Sequence, residues 1–205
     1  MIFRDVILSP SINFFIRVTG QLLAIVSLLF AAYFLWSDFP PQDIFVDDTK
    51  FGAEIASAAA KNGLAPDLVK ALIYRESRFN PRAVGSAGEC GLMQIMPSGA
   101  AKEWATANRV PVPSRAELFN VPLNLEIGCW YLARGMREYS GYRHKTELAL
   151  ARYNAGPRRT REWLPADKDG EVLPLIKLQS THEYVAKIMA RYKKYSAGGA
   201  RGNSK

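Results

Sequence analysis

The sequence predicts a mainly α-helical protein in which one transmembrane helix precedes a single helical domain. Apolar residues recur at the 3.6-residue period of an α-helix nearly everywhere after Lys50. No run has the alternating, β-branched character of a strand. Val18 to Trp36 contains no charged residue and is built from Val, Leu, Ile, Ala and Phe, close to the roughly 20 residues that cross a bilayer as a helix. The 205-residue length fits one such segment plus one domain.

Taken in order, residues 1–17 form a short N-terminus carrying Arg4 and Arg17, and residues 18–36 the span. Asp38, Asp43, Asp47 and Asp48 follow it, so the positive-inside rule places the N-terminus in the cytoplasm and the rest outside the inner membrane. A buried core helix and a cleaved signal peptide are the competing readings. A signal peptide wants a shorter apolar run and a small-x-small cleavage site, whereas this run ends in Ala-Ala-Tyr-Phe-Leu-Trp-Ser-Asp, which favours an uncleaved anchor. Residues 37–50, with Pro40 and Pro41, read as an extended linker. Within the domain, 51–195, helices are expected at Phe51–Asn62, Pro66–Phe79, Ser98–Asn108, Leu123–Tyr139, Thr146–Tyr153 and Thr181–Tyr195. Pro66 suits a first helical position, and Ser180 with Glu183 reads as a capping box. The glycine-rich stretch Pro81–Ile95 must turn sharply and has room for a small hairpin. The tail 196–205 is too polar and glycine-rich to pack, and is expected to be disordered.

One helix carries an anomaly. Leu68, Val69, Leu72, Ile73 and Glu76 share a stripe, so a carboxylate sits on the face that turns inward. Burying it is costly unless it is paired or kept for chemistry. In one reading it pairs with Arg75, Arg78 or Arg82; in the other, an apolar cleft raises its pKa toward about 6 so that it can donate a proton near neutral pH.

Two further segments decide between these readings. Tyr74-Arg-Glu-Ser-Arg-Phe-Asn-Pro81 is followed by Gly91-Leu-Met-Gln-Ile-Met-Pro97 and by Tyr153-Asn-Ala-Gly-Pro157, with Gln94 eighteen residues after Glu76. Together they resemble the signature of the soluble-lytic-transglycosylase (SLT) family, enzymes of lysozyme-like, goose-type fold that cleave peptidoglycan glycan strands. The resemblance covers about Phe51 to Tyr195. It implies a lysozyme-like helical domain with Glu76 as the catalytic acid and then base. It further implies that Gln94 lines the sugar site, Met96 the glycan groove, Tyr153 hydrogen-bonds near the acid and tunes its proton, Asn154 holds substrate or loop, and Tyr184 closes the back of the cleft. The sequence departs from one common form of the family at Gly85, where many members have a serine; Ser86 is the substitute one residue on. Core roles remain the alternatives for Tyr184 and for one of Met93 and Met96, and a helix C-cap for Asn154.

Conventional glycosidases need two carboxylates. Glu89 and Glu103 follow Glu76, but neither lies in a motif that suggests a second catalytic group. The single-carboxylate pattern fits the lytic route implied by the resemblance, in which the substrate's own 6-hydroxyl replaces water and leaves a 1,6-anhydro-N-acetylmuramyl end. A water-using muramidase and a non-catalytic, membrane-tethered peptidoglycan-binding module are the rivals. The net charge of +8 suits an anionic partner. With the domain outside the inner membrane, that partner is peptidoglycan or the lipid surface and not nucleic acid. No cofactor motif or metal-ligand spacing is present, so neither a cofactor nor a zinc site is expected. The two cysteines, Cys90 and Cys129, leave two readings: a disulfide stapling the site, or two small buried thiols.

Overall fold

The computed structural model describes residues 21, 23–30, 33 and 46–202, in two units, Met1–Val46 and Asp47–Lys205. In the first unit residues 21, 23–30 and 33 are helical, and Leu23, Ile25, Val26, Leu28, Leu29 and Phe30 are 53–70% exposed. Among the described residues no helix is long and apolar enough to cross a membrane. Much of the expected span at 18–36 and most of the linker at 37–50, like all of 1–17, lie outside the described residues.

The second unit is helical: α1 Gly52–Lys61, α2 Pro66–Ser77, α3 Lys102–Asn108, α4 Val121–Glu138, α5 Lys145–Arg161 and α6 Gln179–Gly202. α2 starts as its sequence dictates, with Pro66 in the first turn, where no amide hydrogen is needed, after Ala65 in extended conformation. It ends two residues before the expected Phe79, because Arg78 and Phe79 both take left-handed backbone, φ 50 and 62. That reversal sends the chain away from the helix axis immediately after Glu76 and Ser77. Leu68, Val69, Leu72 and Ile73 are buried, and α2 packs chiefly on α6 while α4 packs on α5. Burial of such side chains contributes about 1.5–3 kcal/mol each.

The stretch after Pro81 forms no strand; it holds the isolated bridges Val84↔Cys90 and Cys90↔Ile95, the reduced form of the hairpin that its glycines allow. The helix expected at Ser98–Asn108 is split into a π turn, Pro97–Ala101, with non-helical backbone at Gly99, and then α3. α4 begins at Val121 because the Asn120 side chain accepts from the Leu123 amide at 3.1 Å. Gly156, φ 81, breaks α5 where Gly156-Pro157 predicts a stop, but helix resumes to Arg161. No capping box forms at α6: Ser180 lies inside the helix, and Glu183 Oε1 accepts from Gln179 Nε2 at 2.9 Å. α6 continues to Gly202, into the tail for which composition predicts no order.

Candidate active site

Glu76 sits in the last turn of α2, half-buried against α6 and the Gly91–Met96 loop. Burial pushes its carboxyl up from 4.5 to about 7; the Tyr184 hydroxyl and the Arg75 charge pull the other way, and the charge of Glu89 pushes it further up. Tyr184, on α6 and 2% exposed, donates its hydroxyl to Glu76 Oε1 in a short hydrogen bond. The Arg75 guanidinium lies over the Tyr184 ring, 5.5 Å from its centroid. The helix that ends with the acid is tied to the loop by Ser77, whose hydroxyl donates to the Leu92 carbonyl at 2.7 Å. This arrangement keeps a neutral carboxylic acid available near neutral pH, with a phenol fixed on one of its oxygens.

The expected partners fall into different places. Tyr153 is near enough to feel the Glu76 charge, but its hydroxyl donates to the Met93 carbonyl at 2.8 Å. The hydrogen bond of Tyr153 thus lies near the acid, while the one to the carboxyl itself is made by Tyr184. The division follows from geometry, because Tyr153 stands in the middle of α5, just before the break at Gly156, and bonds the loop, while Tyr184 stands on the helix packed against α2. Tyr153 is held in turn by an edge-on contact with Tyr131 at 5.5 Å. The guanidinium of Arg152, 2% exposed, lies 4.6 Å from the Tyr131 centroid and pairs with Glu138 at 3.0 Å.

Asn154 is exposed, and its Oδ1 accepts from the buried Thr181 hydroxyl at 2.7 Å, which joins α5, just before its break at Gly156, to the start of α6. Gln94 has left-handed backbone, φ 48, and its amide donates to the carbonyls of Ala83 and Gly91 at 3.2 and 2.9 Å. Its donors are therefore spent on the loop, leaving Oε1, which lies beside Gly85, as its remaining polar group. Met96 is half-buried at the start of the π turn, whereas Met93 is fully buried. Ser86 is exposed, with no side-chain link to Glu76. The carboxylate of Glu89 instead covers Gly85.

Cys90 and Cys129 are free, buried thiols, so the disulfide reading is corrected. They face different surroundings: Cys90 Sγ reaches the Gly88 carbonyl at 3.3 Å with Arg115 and Glu89 near it, while Cys129 lies near Tyr153. Burial pushes Cys129 up to about 12, an inert thiol. Among the described residues no group of three His, Cys, Asp or Glu side chains could hold a metal ion.

Asn124, on α4 and 1% exposed, has no motif to announce it, yet it fixes the loop. Its Oδ1 accepts from the Met93 amide at 2.8 Å, and its Nδ2 donates to the carbonyls of Cys90 and Leu118 at 2.8 and 2.7 Å. Gly91, φ 76, makes room, since a Cβ there would lie 2.4 Å from Asn124 Nδ2. Asn124→Ala leaves the Met93 amide and the Leu118 carbonyl without a partner, while the Cys90 carbonyl keeps the Ile95 amide at 2.9 Å, and is expected to cost about 3 kcal/mol. Urea unfolding monitored by circular dichroism checks this, and an unchanged midpoint would contradict it.

Residues 54–174 match the family described as Transglycosylase SLT domain. A membrane-bound lytic murein transglycosylase C of Cronobacter sakazakii is 31% identical over 60% of this chain and 36% of its own length. A putative soluble lytic murein transglycosylase of Haemophilus influenzae is 32% identical over 67% of this chain and 23% of its own. Among solved structures, an inactive mutant of lytic transglycosylase Slt from Pseudomonas aeruginosa superposes with a TM-score of 0.66 at 27% identity, covering 87% of this chain and 29% of that one. The 70 kDa soluble lytic transglycosylase of Escherichia coli gives 0.64 at 27% identity over 73% of this chain and 25% of that one. The chain thus spans well under half the length of these relatives.

Proposed function

The chain belongs to the transglycosylase SLT domain family, and from that premise we propose that it is a peptidoglycan lytic transglycosylase. It cuts the β-1,4 bond between N-acetylmuramic acid and N-acetylglucosamine. The observation that carries this is the Glu76 carboxyl, raised by burial to about 7 and held by Tyr184, with no catalytic motif around any other carboxylate. Protonated Glu76 gives its proton to the glycosidic oxygen as the bond from C1 breaks. The resulting carboxylate takes the proton from the substrate's 6-hydroxyl, whose oxygen bonds to C1, so Glu76 is regenerated and water is not consumed. Because the nucleophile belongs to the substrate, proximity replaces the second carboxylate that hydrolysis requires. Gln94, Met96, Tyr153 and Asn154 shape the wall on which the strand lies, and Tyr184 acts on the acid itself. Digestion of purified sacculi followed by mass spectrometry of the muropeptides tests this. Anhydro ends are expected, each one water lighter than a reducing end; reducing ends alone would mean a muramidase, and no cleavage a binding module.

Residues 18–36 anchor the domain in the inner membrane with the active site facing the periplasm. This is supported by the uncharged run, by the exposed apolar side chains of the described helical residues, and by the flanking charges. A reporter fused after Lys50 is then active only outside the inner membrane, and the full chain resists alkaline extraction. Release of a shortened soluble form would overturn the anchor.

A further inference from the structure

We propose that Glu89 is a second carboxylate of this site, a positioning residue that occupies the space left by the missing side chain of Gly85 and acts through the proton of Glu76. The inference rests on the transglycosylase reading of Glu76 and adds a group that the sequence motifs pass over.

The geometry begins with a closed turn. The Gly85 amide donates to the Glu89 carbonyl at 2.9 Å, and the Gly88 amide to the Gly85 carbonyl at 3.1 Å. The Glu89 side chain folds back over this turn, its Oε2 accepting from the Ala87 amide at 3.0 Å. A Cβ built on Gly85 would fall 2.2 Å from Glu89 Oε2 and 2.8 Å from Gln94 Oε1. Two acceptors therefore crowd the place where any other residue at 85 would put its side chain. Gln94 cannot be reversed to relieve this, because its nitrogen is held by Ala83 and Gly91. The bridges of Cys90 to Val84 and Ile95 seat this turn against the loop that faces the acid.

A carboxylate so placed adds a fixed negative charge to the surroundings of Glu76. The other groups that act on the acid are Arg75 on its own helix, Tyr184 on α6 and the neighbouring Tyr153 on α5. Arg75 and the Tyr184 hydrogen bond favour the ionised acid; Glu89 opposes them and helps keep the proton on. The same charge makes the ionised Glu76 a stronger base, which serves the second half of the reaction, when it takes the proton from the 6-hydroxyl. Glu89 thus raises the protonated fraction of the acid for the first step and its basicity for the second, without touching the sugar.

The test is the titration of Glu76 followed by carbon-13 NMR of its side-chain carboxyl, which needs no turnover and so stands apart from the fate of the catalytic reading. Glu89→Gln keeps the shape and the acceptor for the Ala87 amide but removes the charge. It is expected to lower the Glu76 midpoint by roughly half to one pH unit, the scale of one partly screened charge at this range. Glu89→Asp keeps the charge and should restore most of the wild-type value. Gly85→Ser pushes the carboxylate aside, so it should shift the midpoint in the same direction as Glu89→Gln, and combining the two should add nothing further. The alkaline limb of the activity profile should move with the midpoint. A Glu76 midpoint unchanged in Glu89→Gln, or a Gly85→Ser shift that adds in full to it, would overturn the proposal. A shifted midpoint in a chain that releases no anhydro product would leave Glu89 in place and refute only the reaction.

Discussion

Glu76→Gln is expected to abolish cleavage of peptidoglycan, lowering the rate by about a thousandfold or more, while the variant still folds and binds sacculi. The amide keeps the shape and can accept from Tyr184, but it has no proton to give and cannot become the base that follows. The same substitution has a thermodynamic signature. Glu76 titrates near 7 in the folded chain against 4.5 as its ordinary value, so folding favours the protonated form. Its contribution to stability is complete below about pH 4.5, is lost progressively between 4.5 and 7, and stays lost above that. Glu76→Gln, which never ionises, should therefore be more stable than wild type at pH 8 by up to roughly 3 kcal/mol and similar to it at pH 4. Thermal unfolding at the two pH values reads this difference. Equal stability at both would mean that the carboxyl is not burdened by burial.

Tyr184→Phe should have the next largest effect, and its sign identifies the role. The phenol donates to the carboxyl and favours its ionised form. Removing it raises the Glu76 pKa, so the alkaline limb of the pH–rate profile moves up, by about one unit, given the usual strength of a hydrogen bond to a charged group. The maximal rate falls by about ten- to a hundredfold, because the acid loses the contact that fixes its orientation. This upward shift is opposite to the one expected for Glu89→Gln, so the two variants separate a hydrogen bond from a charge. A lower rate with an unmoved limb would reduce Tyr184 to packing.

The parts of this site that the sequence announces are those set by local periodicity. The stripe Leu68, Val69, Leu72, Ile73 requires a buried helix face whatever the rest of the chain does, and Glu76 follows on that face. Pro66, and Gly156 with Pro157, mark a helix start and a break through the backbone angles they allow. What stays hidden is set by pairs far apart in sequence. The contact between Tyr184 and Glu76 joins residues 108 apart, that of Tyr153 and Met93 residues 60 apart, and those of Asn124 with Met93 and Cys90 residues 31 and 34 apart. Nothing local tells Tyr153 from Tyr184 as the partner of the acid. That choice depends on α6, not α5, packing on α2. Gln94 is legible as a residue type but not as a conformation: its left-handed backbone turns the amide nitrogen inward to the loop carbonyls. Arg152 reads as a surface cation until α4 supplies Glu138 and Tyr131 around it.

The central claim is that one protein carboxyl, Glu76, serves as acid and then base while the sugar supplies its own nucleophile. Cleavage of purified sacculi in water enriched in oxygen-18, with mass analysis of the new muramyl ends, tests it most directly. The account predicts anhydro ends that carry no label from solvent. New muramyl ends that each carry one solvent oxygen would contradict it.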